Sequence, residues 1–252
     1  MNPDRGIACK VGRPVNPSQC WPVIMDAPRH VPGVLPVALG LLLLACACAK
    51  GSYTYSPPVQ PADLAPRSIV VAHGPDAAWE ATVAYLAGKS YDLGIVARDS
   101  RVIHASFTPA QPDALIDCGS VRSWVKELWN RREYDFKAST GYVKYEAMDN
   151  KKLTRYERTA RLTGKATVLL TPLKNSRTRI TVSASYQLTR DFVRRQENDD
   201  GDWQASLLSQ ARIEFTSSSG AKDAKGFQCF PTHALESEIL AGIRARLDRK
   251  LD

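Results

Sequence analysis

Two runs of strict alternation dominate this sequence. Ala166, Val168 and Leu170 alternate with Lys165, Thr167 and Leu169. Ile180, Val182, Ala184, Tyr186 and Leu188 alternate with Thr181, Ser183, Ser185, Gln187 and Thr189. A period of two sends the two sets to opposite faces of an extended chain. Between the runs, Lys174, Asn175 and Ser176 have turn chemistry. The pattern predicts a long antiparallel hairpin with one dry face and one wet face. A dry face must be buried against something, so the flanking sequence has to supply a second layer.

The flanks offer several candidates. Residues 68–72 read as a short buried strand. Gly74, Pro75 and Asp76 open a helix, Trp79, Val83 and Leu86 line one side of it, and Gly88 ends it. Residues 91–97 and 102–107 read as a hairpin with Leu93, Ile95 and Ala97 on one face, and residues 114–118 as a further strand. Residues 121–132 fit an amphipathic helix built on Val121, Trp124, Val125 and Leu128. The segment from there to Arg161 is rich in tyrosine and mixed charge. It reads either as an excursion folded over the sheet edge or as a partner-binding surface. Ala211, Ile213 and Phe215 mark another strand. The chain closes with a helix capped at Thr232, with Leu235, Ile239, Ile243 and Leu247 down one face.

This order predicts an α+β fold, with a mainly antiparallel sheet, an N-terminal helix and a long C-terminal helix packed on one face. Through residues 74–79 and 229–240, in element order only, the chain resembles helix-grip domains and the individual domains of the outer-membrane assembly lipoprotein BamC. That lipoprotein carries two such domains, and this chain has room for one.

A second feature concerns location. Arg29 and His30 precede an apolar core over residues 34–44, which ends in Leu43, Leu44, Ala45 and Cys46. A basic flank followed by about 7–15 apolar residues has the form of a secretory signal. The last four residues resemble the lipobox of bacterial lipoproteins. The resemblance implies cleavage before Cys46, addition of palmitate-type acyl chains to it, and attachment of the chain to a membrane. The alternative is an uncleaved helix over residues 31–49, weakened by Pro32, Gly33, Pro36 and Gly40. Met25 opens a complete signal of its own, so residues 1–24 read as a leader that translation starting at Met25 would omit. Residues 25–45 are then the signal peptide, residues 46–67 a lipid-anchored tether rich in proline, and residues 68–252 a single domain. Ala47 is not the aspartate that retains enteric lipoproteins at the inner membrane. The expected location is therefore the outer membrane facing the periplasm, with the inner membrane as the other possibility.

The net charge is +8 over 252 residues. Removing residues 1–45 leaves 30 basic and 24 acidic groups, or +6. These charges form no compact basic cluster, and with an export signal present they argue against nucleic acid as a partner. Of the six cysteines, only Cys118 and Cys229 fall inside the expected domain. An oxidising compartment makes them a disulfide pair.

We find no glycine-rich phosphate loop, no GxSxG and no HExxH. Cys118, Cys229 and His233 would give a metal three ligands at most, and Cys229, His233 and Asp117 make a weak thiol hydrolase, so neither a metal, a cofactor nor a catalytic residue is assigned. Two functions remain. One is a non-enzymatic envelope interaction module with a protein partner. The other is a carrier holding a lipid or other apolar ligand between sheet and helix, against Tyr186, Ile239 and Ile243.

Overall fold

The computed structural model describes residues 49–65, 67–89, 91–197 and 203–249. In chain order the elements are β1 (Lys50–Ser56), β2 (Arg67–Val71), α1 (Pro75–Ala87), β3 (Asp92–Ala97), β4 (Val102–Phe107), a 3-10 turn (Pro112–Ala114), β5 (Ile116–Asp117) and β6 (Ser120–Glu127). They continue with β7 (Asn130–Lys137), β8 (Tyr142–Asp149), β9 (Lys152–Leu173), β10 (Arg177–Glu197), β11 (Trp203–Thr216), β12 (Ala221–Lys222), β13 (Gln228–Pro231) and α2 (Ala234–Asp248). Contacts group Cys46–Asp252 into one compact unit.

The hairpin implied by the alternation is present as β9 and β10, of 22 and 21 residues, joined where Asn175 and Ser176 take positive φ. Straight strands of that length would run roughly 70 Å. No neighbour pairs along the whole of it, so each strand changes partner part-way. β9 pairs with β4 over residues 164–169 and with β8 over residues 152–159. β10 pairs with β2 over residues 178–182 and with β11 from residue 185 onwards. The result is a branched seven-stranded antiparallel sheet.

One face of this hairpin is buried along nearly its full length. Thr154, Arg158, Ala160, Leu162, Ala166, Val168 and Leu170 on β9 are buried, as are Ile180, Val182, Ala184, Tyr186, Leu188 and Arg190 on β10. All are even-numbered, hence all on the same side. Two different layers cover them. At the end near β2 and β4, α1 and α2 pack on the sheet and on each other. A Cβ on Gly242 would fall 2.0 Å from the Tyr85 ring, so only glycine allows the helices to approach this closely. At the other end a three-stranded sheet, β1-β6-β7, lies over β8.

This arrangement corrects the expected fold class. The described residues are mostly antiparallel sheet, 58% strand and 16% helix, and among them there are only two short α-helices and no long C-terminal helix gripping one face. The reason is length. Fifteen residues of helix span roughly 22 Å, far short of the hairpin, so α2 shares one end with α1 and a sheet covers the other.

Several local readings change for the same kind of reason. Residues 121–132 form β6 and the start of β7 rather than a helix, with Val121, Ser123 and Val125 buried at period two. Lys50–Ser56, read from the sequence as tether, is β1, in register with β6 from Lys50↔Lys126 to Ser56↔Ser120. Only a turn and the two residues of β5 form within residues 112–118. A register shift in β3 between Leu93 and Val96 turns Ile95 to solvent, separating it from Leu93. His233, with φ 59, stands at the α2 N-cap where Thr232 was expected.

Cys118 and Cys229 stand at disulfide distance, with S–S 2.03 Å and Cα–Cα 4.1 Å. They join the segment after β5 to β13, within the small β12-β13-β5 sheet. Cys46 lies outside the described residues, as do residues 198–202. Among the described residues no helix is long and apolar enough to cross a membrane.

Candidate functional site

Along the buried face of the hairpin the chemistry changes abruptly. Through Leu162 and Leu188 it is apolar, and outward of them it carries Arg158 on β9, beyond Ala160, and Arg190 on β10. These arginines are 3% and 7% exposed. Aromatic rings from both sheets surround them, Tyr53 on β1 and Phe136 on β7 facing Tyr145 on β8 and Tyr156 on β9. Tyr53 stacks on Tyr145, Tyr145 stacks on Tyr156 at 5.2 Å, and Phe136 tilts against Tyr145. The Arg158 guanidinium lies 5.0 Å from the centre of the Phe136 ring, and the Arg190 guanidinium lies 3.2 Å from that of Phe227. Such stacking stabilises a desolvated cation by about 1–2 kcal/mol.

The two arginines are paired unequally. Arg190 donates to Asp223 Oδ2 at 3.0 Å. Arg158 donates only to the carbonyls of Lys137 (3.1 Å) and Thr140 (3.5 Å), and among the described residues it has no carboxylate partner. The Nε of each is buried and unpaired. Burial lowers the pKa of both, and the Arg190 charge lowers that of Arg158 further. Burial raises the hydroxyl pKa of Tyr53, Tyr55 and Tyr145, and that of Tyr156 to about 12, so these tyrosines stay neutral. Both guanidiniums line a cavity of about 380 Å³ together with Tyr53, Phe192, Leu208 and Lys225.

Beside this cluster a second group of charges is compensated. Glu146, itself buried, accepts from Arg132 Nε and from Arg155 Nε at 3.1 Å, while Arg132 also reaches Glu127. Burial is the largest single influence on Glu146 and raises its pKa, but the arginine hydrogen bonds together outweigh it and hold the carboxyl below its ordinary 4.5. A depressed carboxylate contributes stability above its unfolded-state pKa and loses it as pH falls through the folded one. Urea unfolding from pH 7 downward should therefore show a loss of stability below about pH 4.5. The loss should be smaller in Glu146→Gln, and an identical loss in both proteins would refute the assignment.

Beyond Arg132 the β1-β6-β7 sheet ends in an exposed tip. β6 and β7 are joined by Leu128 and Trp129, between Glu127 and Asn130. Trp129 is 95% exposed and Leu128 66%. Leu128 holds φ 50, a conformation that glycine or asparagine adopts readily and that costs a leucine roughly 1 kcal/mol.

The residues singled out from the sequence lie elsewhere. Tyr186, Ile239 and Ile243 belong to the packed core under α2, and the isoleucines are fully buried. The Tyr186 hydroxyl donates to Glu236 Oε1 at 3.3 Å, and Ser217 Oγ donates to the same oxygen. The sulfurs of Cys118 and Cys229 are spent on each other, which removes them as metal ligands or as a nucleophile. Asp117 accepts from the Gly119 amide in a tight turn. Sequence reasoning missed Arg158 and Arg190. The available signal was the alternation itself, since Arg190 is the next dry-face position after Leu188, and Arg158, Ala160 and Leu162 continue the other run backwards.

Comparison with known proteins finds no family model that matches this chain and no curated protein that matches it.

Proposed function

We propose that this chain is a non-enzymatic envelope lipoprotein, held by an acylated Cys46 at the outer membrane facing the periplasm, whose body docks a protein partner through the β6–β7 tip. The observation that carries the reading is Trp129, almost fully exposed beside a leucine held at positive φ. Backbone strain retained at an exposed apolar position points to a role outside folding. Exposed tryptophan is also the side chain that contributes most at protein interfaces. The position of the tip fits the anchor. Lys50 pairs with Lys126, beside the tip, and follows Cys46 by four residues, at most about 14 Å of chain. A lipid on Cys46 would keep this end close to the bilayer, where membrane-bound proteins can be reached. The packed side chains at Ile239 and Ile243 favour a module over a carrier with its ligand under α2.

The test combines three variants. Cys46→Ser should abolish fatty-acid labelling, and persistence of the label would sink the anchor. Trp129→Ala should lower recovery of the partner, measured by native mass spectrometry of complexes extracted from cells, by about tenfold or more. Leu128→Asn should do the same while raising stability by roughly 1 kcal/mol. Full recovery with both tip variants would show that the tip is not the docking surface. Loss of vesicle binding instead of partner binding would assign the tip to the bilayer.

A further inference from the structure

We propose that the cleft between Arg158 and Arg190 is a binding site for an oxyanion, a phosphate monoester or a carboxylate, carried on an apolar body. The site is distinct from the exposed tip and does not depend on it. A guanidinium removed from water without a counter-charge is costly, and proteins pair such groups or place a ligand against them. Here two stand together. Arg190 has Asp223, whereas Arg158 has two carbonyls and an aromatic face. Lys225 adds a third cation to the lining, so the cavity holds three positive groups against the one carboxylate of Asp223.

The donors match the class of ligand. Each guanidinium keeps a buried Nε–H that donates to nothing in the protein. A planar guanidinium with free donors fits the paired oxygens of phosphate and carboxylate better than it fits a halide or a neutral group. The remaining walls set the rest of the molecule. Phe192, Leu208, Phe227 and Val121 supply apolar surface beside the charge. A volume of about 380 Å³ lies within the range usual for small-molecule sites and exceeds what a bare oxyanion needs. An amphiphile with its head against the arginines and its body along these side chains satisfies both halves of the lining.

The experiment titrates the full-length chain by calorimetry with hexyl phosphate, inorganic phosphate and hexyltrimethylammonium. Hexyl phosphate should bind saturably, about tenfold or more tighter than inorganic phosphate, and the cation should not bind. Arg158→Met and Arg190→Met should each weaken hexyl phosphate by about tenfold or more, since each removes a charge-assisted hydrogen bond. Leu208→Trp tests the same cavity without touching an arginine. Leu208 is 43% exposed, so the variant should fold and should still block the apolar body. Equal affinity for hexyl and inorganic phosphate would keep the oxyanion site but remove the apolar part. The absence of saturable binding by either anion would overturn the proposal. So would hexyl phosphate affinity unchanged in Leu208→Trp and in whichever arginine variant unfolds at the wild-type temperature.

Discussion

Replacing Cys118 and Cys229 together by alanine is expected to cost about 3–5 kcal/mol and to lower the unfolding midpoint by about 10 °C. The two residues are 111 apart in sequence, so the cross-link closes a large loop in the unfolded chain. In the chain-entropy description a loop of this size contributes about 4.7 kcal/mol. Two structural facts keep the expected effect near that figure. Both cysteines are fully buried, so alanine at either position also removes packing. The bridge also ties down an element with little else to hold it, because β5 has two residues and β13 four, and they pair through only two positions. Tyr55 reinforces the junction by donating to the Cys118 carbonyl and accepting from the Gln228 amide. The check is thermal and urea unfolding of wild type, double variant and reduced wild type. A midpoint shift below about 2 °C in both altered forms would show that the bridge does not limit stability.

Ile239→Ala is expected to cost about 3 kcal/mol or more. Ile239 is fully buried on α2, in the cluster that joins both helices to the sheet. Gly242 on the same helix is pressed against Tyr85, so α2 cannot slide toward α1 to close the space left by the lost side chain. The same measurement separates two readings of function. In a packed core the truncation leaves a void and the full cost. In a carrier with a ligand space beside Ile239, the side chain would already border open space and truncation would cost less, about 2 kcal/mol or below. Urea unfolding with unchanged m-value would establish that the difference is one of stability.

The contrast between the two ends of the hairpin shows where local pattern suffices. Residues 165–170 and 180–188 alternate, with Leu169 the one apolar residue on the wet face, and they form the predicted strands with the predicted dry face, because period two leaves an extended chain only one way to bury its apolar set. The first helix was equally clear, with Gly74 before it, Pro75 at its first position and Gly88 after it. Residues 121–128 were not. Val121, Trp124, Val125 and Leu128 satisfy a helical period, whereas Val121, Ser123 and Val125 satisfy a strand period, and local sequence does not choose between them. β1, some seventy residues earlier, makes the choice by pairing with this stretch.

The sequence by itself therefore determined the long hairpin, its buried face, the first helix and the two cysteines available to bridge. Each of these follows from spacing or chemistry within a short window. The tertiary structure alone decided which layer covers each end of that face, that Lys50–Ser56 is a strand, and that two arginines on neighbouring strands share one cavity. Those outcomes depend on pairing between distant segments and on lengths that must match across layers. The alternation places Arg158 and Arg190 on the buried face but not beside each other, because they meet only when residues more than thirty positions apart pair in register.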